Sequence, residues 1–510
     1  MATEERVNHT IKNVTWGSVN SLVLCVMPFI VRTVMMKFWG IEYVGLGVLF
    51  ASILTVLNLA ELGLGPALVY NMYLPVAKKD YDTVNKLISL YSKAYRIVGL
   101  SILLIGLIIL PILPRLVTGS YPDGINIYVV YLFYLFQTAV GYLSWPYVQV
   151  LFIANLDTTV YSKVSSIVWI VTYSIQIIII FLIKNYYLYA SLLPVGAFLV
   201  NYFMYRKYLS KYPEYRIIKL GKNSFNDEFK SDFLKKVCGV VMCKVRIAFR
   251  ESVDTLIISM SLGLVSVAIY NNYLMIMTVP IILIKTLCDS VLPVLGNGMA
   301  IETSESNYGV KKLFSFVINW FATWAAAFLI VFYQDFMLIW AKEENMASFM
   351  VAVLFTVLFY LRSLEKVNDV IKSTSGIWWQ GKWVSVVETI VNLILNVVFV
   401  RIWGIEGIIF ATVLSMTVFN IPFETYYTYK YYFKLNPIRD MLRMIVDAGI
   451  AFFCVFITYI ISNMYSDKFI VQLIIKIFVS LIVPNIILIL FYFKDERFKE
   501  VFKICKEALL

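Results

Sequence analysis

The sequence has a single histidine, His9, and only 15% of its residues are charged. One imidazole removes paired His acid–base chemistry and His-rich metal sites. The six cysteines (Cys25, Cys238, Cys243, Cys288, Cys454 and Cys505) are scattered, mostly through apolar sequence, without a CxxC spacing. They read as small packing residues rather than as a zinc, haem or disulfide framework. No GxxxxGK[ST] run is present, so a phosphate-binding loop of the ATP-driven kind is excluded. No polar segment is long enough for a folded extramembrane domain, and neither a cofactor nor a metal is expected.

What fills the chain is apolar sequence. Hydrophobic residues make up 60% of the 510, against about 45–50% in soluble domains. Apolar runs recur from end to end, each with the roughly 18 residues needed to cross about 30 Å of hydrocarbon. Fourteen such stretches can be drawn, at about 14–36, 43–71, 87–111, 126–152, 160–183, 187–205, 237–261, 267–295, 312–334, 347–371, 379–401, 405–428, 440–462 and 469–493. The first follows a polar start of mixed charge, exceeds a signal-peptide core, and lacks a small-residue cleavage site after it, so a retained span is expected. The chain therefore reads as an all-α polytopic membrane protein.

Lys and Arg sort the connections by side. Those after odd-numbered spans carry only Lys37, Arg115, Lys184, Lys342, Arg401 and Lys468. The other connections and both tails are much richer, which places both termini in the cytoplasm. The connection 206–236 alone holds nine Lys or Arg. Anionic lipid and topology account for that charge, and no nucleic-acid partner is expected. The tyrosine-rich run "YYTYKYYFK" (426–434) reads as an interfacial belt with basic anchors.

Shifting the chain by 223 residues lays "GIEYVGL" (40–46) on "GLVSVAI" (263–269). This suggests parallel six-helix repeats: a lobe over 1–205, a basic cytoplasmic loop over 206–236, a second lobe over 237–430, and two additional spans with a tail over 431–510. Such repeats place a transport site between the halves. A closer local repeat joins "KFWGIEYVGLG" from Lys37 to "RIWGIEGIIFA" from Arg401. Gly40 and Gly404 permit a tight turn, Glu42 and Glu406 suit the start of the next helix, and Trp39 and Trp403 suit the membrane interface. The repeat is read as construction rather than chemistry.

Ionisable residues inside spans each cost about 2.5–3.5 kcal/mol at a helix centre, so they should face partners or water. Span 7 is the richest. Arg246, Arg250 and Asp254 recur every four residues along one helix face, flanked by Lys244 and Glu251. Either this is an internally paired first turn or a cationic strip lining a hydrated cavity. Arg32 in span 1 is either a ligand or gating group, or snorkels to the interface. Glu61 in span 2 either pairs with a neighbouring helix or meets the cargo. Lys285 and Asp289 in span 8 have the spacing to pair. At the end of span 10, "LRSLEKVND" sets Arg362 opposite Lys366 and Glu365 opposite Asp369. Partners from another helix would relieve that arrangement as a gate network; a solvated helix end is the other reading.

Three stretches resemble the polysaccharide transport (Wzx-type) branch of the multidrug/oligosaccharidyl-lipid/polysaccharide flippase superfamily. They are "AELGLGPALV" (60–69), "VDTLIISMSLGLVSVAIYNNYLMI" (253–276) and "NLILNVVFVRIWGIEGIIFATVLS" (392–415). The resemblance runs the length of the chain. It implies twelve helices in two lobes around a central cavity that opens alternately to either side. It also implies passage of a polyprenyl-diphosphate-linked oligosaccharide, such as an O-antigen unit, to the outer leaflet of a bacterial inner membrane, with a polysaccharide polymerase as a protein partner. Arg32, Lys244, Arg246, Arg250 and Lys285 suit the diphosphate, since Arg offers a planar fork and Lys a point charge. Glu61, Glu251, Asp254, Asp289, Arg362, Glu365 and Lys366 are left for H⁺ or Na⁺ coupling and gating, with Asp254 and Glu61 first.

Three rivals remain. A multidrug–cation antiporter of the same superfamily calls for carboxylates and aromatics rather than several Arg and Lys. A lipid II flippase of that superfamily is poorly separated by sequence. A membrane-embedded polymerase or glycosyltransferase usually needs a larger outward loop than those near 112–125 and 335–346.

Overall fold

The computed structural model describes residues 2–58, 64–119, 121–221, 225, 231, 249–250, 252–301, 303–375, 377, 381–464 and 469–509. Every regular element among them is helical, as hydrocarbon requires of a chain that must satisfy its own backbone. A helix lies in each of the fourteen expected stretches. Among the described residues nine helices are long and apolar enough to cross a membrane, or ten with one bent pair counted. The chain divides into two compact units, Met1–Ala268 and Ile269–Leu510.

In the first unit the helices are α1 (Ala2–Phe38), α2 (Ile41–Leu57), α3 (Leu64–Ala77), α4 (Tyr81–Ile109), α5 (Ile127–Leu143), α6 (Tyr147–Ala154), α7 (Thr158–Ile178) and α8 (Tyr186–Lys211). They are followed by α9 (Ser252–Leu262) and the start of α10 (Leu264–Ile301). Short polar side chains begin several of them. Asp80 accepts from the Thr83 amide at 3.0 Å and Asn185 from that of Leu188 at 3.1 Å, each satisfying an orphan donor of the first turn. Pro146 and the left-handed Trp145 (φ 47°) separate α5 from α6, which meet at a 51° bend. The basic connection after α8 begins pinned down. Lys211 pairs with Asp157, the Arg216 amide donates to Asn85 Oδ1 at 2.7 Å, and that of Ile218 to Ser89 Oγ at 2.8 Å.

The Trp-Gly-Ile-Glu turns behave as construction. Gly40 (φ 107°) ends α1, and Trp39 packs edge-on against Tyr186 at 5.5 Å and Tyr189 at 5.6 Å. Gly263, its counterpart in the repeat, also has a positive φ of 83° between two helices.

The second unit continues α10 and adds α11 (Ser304–Ala341), α12 (Phe349–Ser375), α13 (Lys382–Ser415), α14 (Ile421–Thr428), α15 (Ile438–Ser462), α16 (Phe469–Tyr492) and α17 (Glu496–Leu509). Gly404 (φ 60°, ψ −130°) breaks α13 into two arms. Asn392 on one arm donates to Thr412 Oγ1 at 3.1 Å and Ser415 Oγ at 3.3 Å on the other. Glu406, just past the break, accepts from Ser348 at 2.7 Å.

Candidate functional site

In the first unit, Arg32 lies six residues before the end of α1 and is half-buried. Its Nη2 donates to the Ala268 carbonyl at 3.1 Å, while its buried Nε has no partner. The guanidinium is thus held against the protein by one backbone bond. On and beside α9, Arg250 is 7% exposed and Asp254 1%. Both make further polar contacts, as buried charges must. Lys244, Arg246, Glu251 and Glu61 lie outside the described residues.

In the second unit, Lys285 and Asp289 are exposed on α10 and do not form an ion pair with each other. Their four-residue spacing allows a pair without requiring one. The "LRSLEKVND" end of α12 is not a solvated helix end. Glu365 is 4% exposed and Lys372, further along, 9%. Partners arrive from neighbouring helices. The Asn420 amide nitrogen donates to Glu388 Oε2 at 2.6 Å and to Glu365 Oε1 at 3.3 Å, bridging two buried carboxylates. Lys372 reaches Glu424 on α14 at 2.6 Å and Asp369 at 3.1 Å. Lys366 pairs with Asp369 at 3.4 Å, and Arg362 is half-buried.

A second polar cluster is one that sequence reasoning missed. Asp440 at the start of α15 accepts from Tyr308 at 2.8 Å, Lys311 at 3.1 Å and Tyr429. Two turns on, Asp447 accepts from Tyr492 at 2.8 Å and from both terminal nitrogens of Arg497 at 2.8 and 3.0 Å. Burial lowers the affinity of Arg497 for its proton, but its bonds to Asp447 and Asp495 outweigh that and hold it above its ordinary value. Burial likewise pushes Asp495 up, yet the bonds from Arg497 leave it below the usual carboxylate range. Between these groups lies a cavity of about 40 Å³, lined by Lys311, Ser315, Asn319, Tyr360, Asn368 and Asp447 among others. It has room for a few waters, and Asn368 Nδ2 there has no protein partner. A third pair, the buried Lys476 with the half-buried Asp335 at 2.6 Å, ties α16 to α11. A signal existed for several of these. Glu388, Asp447, Asp335 and Lys476 each stand alone in an apolar run, the pattern that marks a costly and therefore partnered charge.

No protein-family model and no curated protein sequence matches the chain. Solved structures do. A lipid II flippase, MurJ, in an inward closed conformation superposes with a TM-score of 0.67 at 14% identity, over 94% of this chain and 99% of that one. An inward-facing multidrug resistance MATE family transporter of the MOP superfamily gives 0.60 at 12% identity, over 82% of this chain and 98% of its own. An outward-facing structure of the same kind gives 0.54 at 14%, over 83% and 95%. The chain has the fold of these transporters. Identities this low carry the architecture and leave the cargo to the side chains.

Proposed function

We propose that the protein is a flippase of the bacterial inner membrane. It moves a polyprenyl-diphosphate-linked oligosaccharide from the cytoplasmic to the outer leaflet by alternating access, for surface polysaccharide assembly. The observation that carries this reading is the likeness to a lipid II flippase along 94% of the chain. The half-buried Arg32 and the buried Arg250 add to it, since a diphosphate is bound well by Arg forks. On this reading the fold has fourteen crossings with both termini cytoplasmic. Two six-helix lobes are followed by two further spans, and H⁺ or Na⁺ is taken up at Asp254 or Glu61. A cargo bearing about two negative charges, leaving an interior about 100 mV negative, gains roughly 4–5 kcal/mol, so export needs no nucleotide.

Lipid II as cargo is the second reading, favoured by that same neighbour. A flipping assay in proteoliposomes with an imposed inside-negative potential separates the readings. An oligosaccharide diphosphate lipid is loaded in the inner leaflet, and an external glycosidase reports its arrival. Potential-dependent delivery by wild type, abolished by Arg250→Ala, is the expected result. Delivery of lipid II alone moves the cargo to the second reading. Uptake of a cationic dye with no lipid delivery moves the protein to the multidrug class.

A further inference from the structure

Helix α17 has no role in the reading above, and its surface is divided. Phe498, Val501, Phe502 and Cys505 recur at i, i+3, i+4 and i+7, which places them on one helical face. The first part of that face is covered. Phe498 stacks on Trp320 at 5.7 Å, and both Phe498 and Val501 pack on the cluster around Phe316 and Tyr492. The rest is bare. Phe502, stacked on Phe498 at 6.2 Å, is 64% exposed, and Cys505 is exposed beside it.

Two further observations say what covers the bare part. Helix α16 is apolar over a full membrane thickness, and α17 starts only four residues after it ends, so α17 lies at the membrane boundary. The end of α16 presents Phe491 (51% exposed) and Phe493 (62%), so the bare aromatic surface of α17 continues a lipid-facing one. Lys499, Lys503 and Lys506 run as a second row at i, i+4 and i+7 beside the apolar face. Long basic side chains flanking a shallow apolar face suit acidic headgroups.

We infer that α17 is an interfacial helix seated on an acidic-lipid surface, with Phe502 and Cys505 inserted below the headgroups and the Lys row among them. Its first turn is held to the bundle by Arg497, so the seat fixes the clamp that joins α15 and α16. The inference does not depend on the cargo.

Spin labels test it in full-length protein in vesicles of phosphatidylethanolamine with phosphatidylglycerol as the minority anionic lipid. One label goes on Cys505, with the other five cysteines replaced, and others on Phe502→Cys and Lys503→Cys in that background. At 502 and 505, collision with oxygen should exceed collision with a water-soluble nickel chelate several-fold, with the order reversed at 503. Replacing the phosphatidylglycerol by phosphatidylcholine, or all three lysines by Glu, should bring 502 and 505 several-fold closer to the chelate. Free access of the chelate to 502 and 505 in the anionic vesicles overturns the proposal, because the helix then lies in water. Access of neither reagent overturns it in favour of a protein covering that face. Lipid access unchanged by lipid charge and by the Glu variant overturns the acidic-headgroup assignment.

Discussion

Arg497 closes on Asp447 through two parallel hydrogen bonds of 2.8 and 3.0 Å, reaching from the first turn of α17 into the middle of α15. The fork-to-carboxylate geometry leaves both charges satisfied where neither meets bulk water. Tyr492 completes the shell from the end of α16, so one carboxylate joins three helices.

Removing one partner strands the other. Arg497→Ala should cost about 3–5 kcal/mol, because Asp447 is left buried and uncompensated. Arg497→Met with Asp447→Leu should recover much of that loss. Thermal unfolding in detergent of the two single variants and the double variant gives the coupling.

Asp495 gives the clamp a pH dependence. Its carboxyl is held below the ordinary value, so its contribution is complete above the unfolded carboxylate value of about 3.9 and is lost as pH falls through the lower folded value. Wild-type melting temperature should therefore drop below pH ~4. Asp495→Asn should start lower and show a shallower drop over the same window. A wild-type and variant pair with parallel profiles would remove Asp495 from the account.

Glu388 and Glu365 share the Asn420 amide. Glu388→Gln keeps an acceptor oxygen of the same shape and should leave stability nearly unchanged. Glu388→Leu takes away the shorter bond and should cost about 1–3 kcal/mol, the price of an under-satisfied buried amide. Asn420→Leu should cost more, since two buried carboxylates lose a shared donor together. The same melting measurement checks all three.

Gly45 marks a backbone contact inside the first unit. A Cβ there would meet the Leu264 carbonyl oxygen at 2.1 Å, so Gly45→Ala must push α2 away from the start of α10. The expected loss is about 1–3 kcal/mol. Gly17→Ala, where nothing lies within 4 Å, should be neutral or slightly stabilising by helix propensity.

Much of the architecture was legible because hydrocarbon imposes a simple code. Runs such as that around α16 have to be helices, and Gly40 and Gly404 sit where the chain has to reverse. Span 10 shows where the code stops. Like charges facing each other along α12 called for partners from another helix, but whether they existed depended on packing. Asn420, which reaches Glu365, and Glu424, which reaches Lys372 further along α12, lie about fifty residues further on. Asp447 and Lys476 were visible as charges in apolar runs, yet their partners Arg497 and Asp335 are 50 and 141 residues away. Periodicity reports one helix at a time, and these pairs belong to two.

Helix α11 has 38 residues, about 57 Å of rise. Even tilted by about 40°, it needs only some 39 Å to cross the hydrocarbon. Roughly a third of it therefore extends beyond the lipid, and near its start Lys311 sits in a shell of Asp440 and Tyr429. One continuous helix is thus dissolved in two solvents, oil along most of its length and a water-backed protein interior at its near end. Detergents that replace lipid act on the first part, whereas urea and acid act on the second. A gentle chaotrope should loosen the near end while the oil-borne part stays wound, so this protein is expected to lose its shape from that end inward.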